Sequence, residues 1–272
     1  RWLYPEEVTW RDGQPVHAET GEPVTVGGVE SMSKSKKNTV DPTAILEGYG
    51  ADTARWFMLS DTPPERDIQW TDEGVASAHR FVQRVWRLIA AAAPHLARTE
   101  GPSPSQLSPQ ALALRRVIHK AVHNVTTDLE RLRFNRAVAH LYDLANQLSA
   151  VEPGTDRGLD DVLREAYEAL VLLMAPMMPH LAEECWRALG REGLVADAPW
   201  PKADPDLLFD DVIVLPVQVN GRKRAELTVA ADASNAEIES AALELEPVQR
   251  FLEGRAARKV IVVPKRIVNV VG

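Results

Sequence analysis

The rhythm of apolar and polar residues changes along the chain and divides it. Val8, Trp10 and Val16 surround Asp12-Gly13, and Val24-Thr25-Val26 runs into Gly27-Gly28. Apolar residues around Asp-Gly predict a hairpin, so residues 1–30 read as β-rich and turn-rich. A polar loop over 31–38 follows, and Asp41-Pro42 then supplies an N-cap and a first-turn proline for a short helix ending near Gly48 or Gly50. From about residue 72 the period becomes helical, with Val75, Ala78, Val82, Val85 and Ile89 on one face. The Pro/Ser-rich stretch from Gly101 to Ser105 breaks that helix, and Ser108-Pro109 opens the next. Further helices are predicted over 134–151, 158–175 and 179–190. Together they read as a helical bundle whose apolar stripes, such as Leu170, Leu173 and Met177, are core.

Beyond a proline-rich linker over 197–211 the period falls to two. Val212-Ile213-Val214-Leu215 and Val217-Gln218-Val219 meet Asn220-Gly221, and Ala225 to Val229 alternates in its turn. Asn-Gly between alternating runs is a strong hairpin signal. A helix over about 234–245 and strands over 259–263 and 267–271 complete a small α+β tail. The expected fold class is mainly α with α+β.

The 272 residues allow about two domains. No apolar run approaches the ~20 residues of a membrane helix. Neither an initiator methionine nor a signal peptide opens the chain, which suggests a fragment. The single cysteine, Cys185, excludes an internal disulfide and a multi-cysteine zinc site, and fits a reducing, cytoplasmic setting. It reads as a buried helix residue rather than a nucleophile. A net charge of −8 excludes a uniformly basic nucleic-acid coat but allows local basic patches. His119 and His123 stand four apart on a helix, yet no glutamate follows His119 and no third ligand is evident, so no metal site is expected.

The most informative segment is Met32-Ser33-Lys34-Ser35-Lys36-Lys37-Asn38. Ammonium groups and hydroxyls on a loop before a helix can close over a polyphosphate, where they neutralise charge growing on a leaving pyrophosphate. By charge alone, a solvated basic loop is the simpler reading.

Ser31-Met32-Ser33-Lys34-Ser35, followed by Val40-Asp41-Pro42 and by Tyr49-Gly50-Ala51-Asp52-Thr53-Ala54-Arg55, resembles the Lys-Met-Ser-Lys-Ser region of class I aminoacyl-tRNA synthetases. Phe134-Asn135 and Met174 to Trp186 resemble that family's anticodon-binding domain. Val217 to Ala225, and Arg258 to Pro264 with Asn269 to Gly272, resemble the tail of the bacterial leucyl-type members. The resemblance implies a C-terminal portion of such a ligase. Residues 1–70 would be the C-terminal remnant of the catalytic domain, 71–196 the helical tRNA-binding bundle, 197–211 the linker and 212–272 a tRNA-contacting α+β domain.

The implied chemistry is activation of leucine with ATP, assisted by Mg2+, and transfer to tRNA(Leu). The leucine pocket would lie outside this chain, and the fragment alone would be inactive and monomeric. Met32, Ser33, Lys34 and Ser35 would meet ATP, with Lys34 as the catalytic lysine. Ser31 stands where the family has its first lysine, a role that Lys36 or Lys37 could cover. Arg222, Lys223, Arg224, Lys259, Lys265 and Arg266 are candidates for phosphate contacts, or else a charged guard on edge strands. The alternatives are an isoleucyl-, valyl- or methionyl-type ligase, a stand-alone tRNA-binding module, and a noncatalytic helical interaction protein.

Overall fold

The computed structural model describes residues 2–96, 107–154, 156–209, 212–231, 233–253, 255–264 and 266–272. The break expected over 101–105 and the side chain of Lys265 lie outside the described residues. Two compact units result, Arg1–Lys202 and Ala203–Gly272. The class is mainly α with α+β, and no described helix is long and apolar enough to cross a membrane.

The first unit opens with a hairpin of β1 (Val8–Arg11) and β2 (Gln14–His17) around Asp12 and Gly13, both at positive φ. Val24 to Val26 adds no strand. Only a single bridge joins Val16 to Pro23, and the Val24 N–H meets the Pro15 carbonyl at 2.9 Å. α1 (Pro42–Tyr49) starts at Asp41, whose carboxylate accepts the Thr43 N–H at 2.9 Å, and it stops at Gly50, where φ is 84°. A left-handed φ is accessible to glycine without a Cβ clash. It lets α2 (Ala51–Ser60), which the hydrophobic pattern had not predicted, leave in a new direction.

α3 (Asp72–Leu96), α4 (Pro109–Glu130), α5 (Phe134–Ser149), α6 (Arg157–Met174) and α7 (Pro179–Ala188) form the bundle. α3 buries Val75, Ala78, Phe81, Val85, Ile89, Ala92 and Leu96, a helical stripe. Ser108 caps α4 by accepting the Ala111 N–H, and Asp156 caps α6 by accepting the Leu159 N–H. Leu170, Leu173 and Met177 are core. Residues 195–202 lie against this unit: the Glu183 carboxylate accepts the Val195 N–H at 3.0 Å, and the Trp200 indole donates to the Thr126 hydroxyl at 2.8 Å.

One charged cluster inside the bundle has a pH consequence. Glu165 on α6 accepts the Arg115 Nε–H at 2.9 Å and the His119 Nε2–H at 3.0 Å, both from α4. Burial alone would raise the Glu165 carboxyl; the His119 hydrogen bond and the Arg115 guanidinium outweigh it and hold it below its ordinary value. A depressed folded-state pKa stabilises the protein above the unfolded-state value, and that stability is lost as pH falls through the folded one. Glu165→Gln is expected to cost on the order of 2 kcal/mol at neutral pH. In chemical denaturation across pH, the gap between variant and parent should close only as pH falls below the ordinary glutamate range, where the parent's own carboxyl protonates. His119 is therefore the buried member of a half-buried polar cluster with Arg115 and Glu165, while His123 is exposed.

The second unit is a four-stranded sheet in the order β4-β3-β6-β5, from β3 (Val212–Val219), β4 (Arg222–Ala230), β5 (Lys259–Val263) and β6 (Ile267–Val271). β3 and β6 pair in parallel at the centre, and each has an antiparallel partner outside. Asn220 and Gly221 turn with φ 49° and 79°, as a two-residue hairpin demands. α8 (Asn235–Glu244) starts on a Ser234/Glu237 capping box. α9 (Glu246–Leu252) follows it, with Pro247 in its first turn. Both helices cover one sheet face, burying Leu215, Val217, Val219, Leu227, Val268 and Val270 against Ile238, Ala242, Val248 and Leu252.

Candidate functional site

The loop over 31–38 closes on itself. Ser33 caps a 3-10 turn, Lys34–Lys36, with its Oγ accepting the Lys36 N–H at 3.2 Å. Asn38 clamps the two ends: its Oδ1 accepts the Ser33 N–H at 2.8 Å, and its Nδ2 donates to the Ser31 carbonyl at 3.3 Å. The Ser33 and Ser35 hydroxyls lie 3.0 Å apart. Met32, Ser33, Lys34 and Ser35 thus share one turn, with Met32, Lys34 and Ser35 exposed.

The three lysines differ in their surroundings. Lys36 forms an ion pair with Glu30 inside the loop. Lys37 reaches Glu7 at 3.2 Å and sits over the Tyr4 ring, 4.3 Å from its centre. Among the described residues, Lys34 is the loop lysine without a carboxylate partner. Hydroxyls, backbone N–H groups and one uncommitted ammonium suit phosphate oxygens. The turn offers no carboxylate of its own to a magnesium ion.

Two segments distant in sequence meet at the start of α7. Asp52 on α2, buried, accepts the Leu181 N–H at 2.6 Å and the His180 Nδ1–H at 2.9 Å. A carboxylate at the first turn of α7 also meets the positive end of that helix. Arg55, one turn further along α2, donates to the carbonyls of Pro176 at 2.7 Å and Met177 at 3.1 Å. No local pattern announces these contacts, and neither residue has an assigned role in the sequence reading. Cys185 on α7 is buried, and burial, with the neighbouring Glu184 carboxylate, pushes its thiol up to about 12.

The basic residues of the second unit separate into two ends of the sheet. Val219 pairs with Arg222 on one side and Val270 on the other, and Lys259 pairs with Val271. Arg222, Lys223, Arg224, Arg258 and Lys259 therefore gather at the end that holds the Asn220-Gly221 turn. Arg222 and Lys259 are three strand spacings apart there, about 14 Å. Arg266 lies at the opposite end, in the β5–β6 turn.

A register shift between Val217 and Gln218 divides the first group further. A bulge re-aims side chains. Arg224 lies over Phe251 of α9, 5.9 Å from the ring centre, while Lys223 pairs with Glu226 at 2.7 Å and, by that contact, holds the Glu226 carboxyl below its ordinary value. Arg222, Arg258 and Lys259 are exposed, with no carboxylate partner among the described residues. Asn269 Oδ1 accepts the Gly221 N–H and Asn220 Oδ1 accepts the Gly272 N–H, both at 3.2 Å, so the turn is tied to the end of β6.

Two family descriptions match. Residues 25–71 match tRNA synthetases class I (I, L, M and V), and residues 112–240 match the anticodon-binding domain of tRNA ligase. The class is thereby that of the class I aminoacyl-tRNA synthetases for these four amino acids. The leucine–tRNA ligase of Mesorhizobium japonicum is 53% identical over 100% of this chain and 32% of its own length. That of Methylocella silvestris is 52% identical over 99% of this chain and 32% of its own. The LeuRS of Agrobacterium radiobacter K84 (agnB2), in a ternary complex with tRNA and LeuAMS, superposes with a TM-score of 0.75 at 32% identity, covering 88% of this chain and 31% of that one. Over essentially its whole length the chain is thus similar to part of leucine–tRNA ligases, and it spans about a third of the length of the curated relatives it matches. This favours leucine over the isoleucine, valine and methionine alternatives.

Proposed function

We propose that this chain supplies the signature loop, the helical tRNA-binding bundle and the tail domain of an enzyme that activates leucine with ATP and transfers it to tRNA(Leu). The observation that carries the reading is Lys34, an exposed ammonium without a carboxylate partner among the described residues, on a turn that Asn38 holds closed. In activation, the leucine carboxylate attacks the α-phosphorus of ATP and pyrophosphate leaves. Lys34 meets the charge that accumulates on the leaving group, and the Ser33 and Ser35 hydroxyls add directed donors. Magnesium accompanies ATP as part of the substrate. The leucine pocket belongs to the remainder of the enzyme.

The tail contributes phosphate contacts through the turn end of its sheet, with Arg222 and Lys259 at the centre of the proposal and Lys223 and Arg224 beside them. Arg266, at the other end, would touch a different part of the RNA. The test uses a full-length ligase carrying this segment. It should exchange pyrophosphate with ATP in the presence of leucine and not of isoleucine, valine or methionine. Arg222→Ala with Lys259→Ala should leave that exchange intact, weaken tRNA leucylation, and flatten the salt dependence of tRNA binding by about 0.7–0.9 log units per lost contact. An unchanged affinity and slope would make this end a charged guard on edge strands.

A further inference from the structure

We propose that Glu7 and Tyr4 are positioning residues for the signature loop: they hold Lys37 as a fixed post, and Lys36 is the lysine free to move onto phosphate beside Lys34. The proposal rests on the reading of the loop as an ATP-binding element.

The two ion pairs differ in where their carboxylates are mounted. Glu7 sits 30 residues before Lys37 and belongs to a separate framework. Its Oε2 also accepts the Tyr4 N–H at 2.7 Å, and its carbonyl accepts the Ala18 N–H at 2.8 Å, beside the hairpin. Glu7 is thus fixed from two sides before it meets Lys37. Tyr4 adds the face of its ring to the same ammonium. The Lys37 backbone is committed as well: it ends the 3-10 turn in the left-handed region, with φ 53° and its N–H on the Lys34 carbonyl. Moving Lys37 onto a phosphate would cost a carboxylate, an aromatic face and the exit geometry of the turn together.

Glu30, by contrast, lies six residues before Lys36 in the same loop and travels with it. The side chains of that pair are 35% and 40% exposed, against 28% and 27% for Lys37 and Glu7, so water and salt screen both attractions and the mounting of the carboxylate is what separates them. A polyphosphate, carrying more charge than one carboxylate, can displace Glu30 without disturbing the fold. The three lysines therefore divide the work. Lys34 is uncommitted, Lys36 is exchangeable and Lys37 is structural, so the role left open by Ser31 falls to Lys36 and not to Lys37.

Leucine-dependent ATP–pyrophosphate exchange by the full-length ligase tests this. Lys37→Met and Glu7→Gln are each expected to lower kcat by up to about 10²-fold, the scale of a misplaced catalytic group, with KM for ATP nearly unchanged. Lys37→Arg keeps both the ion pair and the ring contact and is expected to restore kcat to within about three-fold of the parent. Lys36→Met should instead raise KM for ATP. Parental kcat in Lys37→Met overturns the proposal. So does a Lys37→Arg variant as slow as Lys37→Met, because the ammonium itself would then be touching substrate. Lys34→Ala separates the two levels: normal exchange in that variant removes the ATP reading itself, whereas slow exchange there with a normal Lys37→Met removes only the anchor.

Discussion

Lys34→Ala in a full-length ligase carrying this segment is expected to slow leucine-dependent ATP–pyrophosphate exchange by roughly 10²–10³, about 2.7–4 kcal/mol of transition-state stabilisation. Lys34 is exposed, and no described carboxylate competes for its charge. The Asn38 clamp spares it the cost of ordering the turn during the reaction. Because the charge it meets grows as pyrophosphate leaves, the loss should fall on kcat, with KM for leucine little changed. A rise in KM for ATP without a fall in kcat would instead describe a loop that only attracts nucleotide.

Trp56→Ala should be the most damaging change to stability, at about 3–5 kcal/mol. Trp56 is fully buried on α2, stacks on Phe81 of α3 with ring centres 4.9 Å apart, and donates its indole N–H to the Tyr142 hydroxyl of α5 at 3.1 Å. Truncation would open a large cavity and strand that hydroxyl. The measurement is chemical denaturation of the chain, with the slope against denaturant compared between variant and parent. A lower midpoint at constant slope is the expected result, because it reports lost stability rather than a changed unfolded state. Trp56→Phe keeps the stack and should retain most of the stability. A loss under about 1 kcal/mol in Trp56→Ala would mean that α2 merely lies on the bundle surface.

The parts of the fold legible in the sequence were those set by local chemistry. Asp12-Gly13 and Asn220-Gly221 mark turns because few other residue pairs accept their backbone angles. Asp41, Ser108 and Ser234 mark helix starts because their side chains accept N–H groups that a first turn leaves unpaired. Val24-Thr25-Val26 has strand composition, but no described strand pairs with it along its length, and composition cannot provide one. α2 went unseen because Gly50 read as an end when it was a change of direction. α9 went unseen because Glu246-Pro247 reads equally well as a break or as the first turn of a helix.

The candidate site divides in the same way. The order of Met32, Ser33, Lys34 and Ser35 announces the loop. Which lysine is committed depends on Glu7, 30 positions away from Lys37 in sequence, a separation across which no local pattern reaches. Alternation along β4 likewise cannot show the bulge that brings Arg224 over Phe251.

The Asp52 contact with Leu181 spans 129 positions of chain. Everything from α3 to α6 lies inside that loop, so the contact can close only after the intervening helices have been synthesised. At about 5–20 residues per second of synthesis, Asp52 emerges roughly 6–26 s before its partner. Over the first part of that interval Trp56 lacks Tyr142 of α5, which follows it by 86 positions. During synthesis α2 is thus open to aggregation until its partners arrive, and occupancy by a chaperone on the ribosome should fall there as α3 and then α5 emerge.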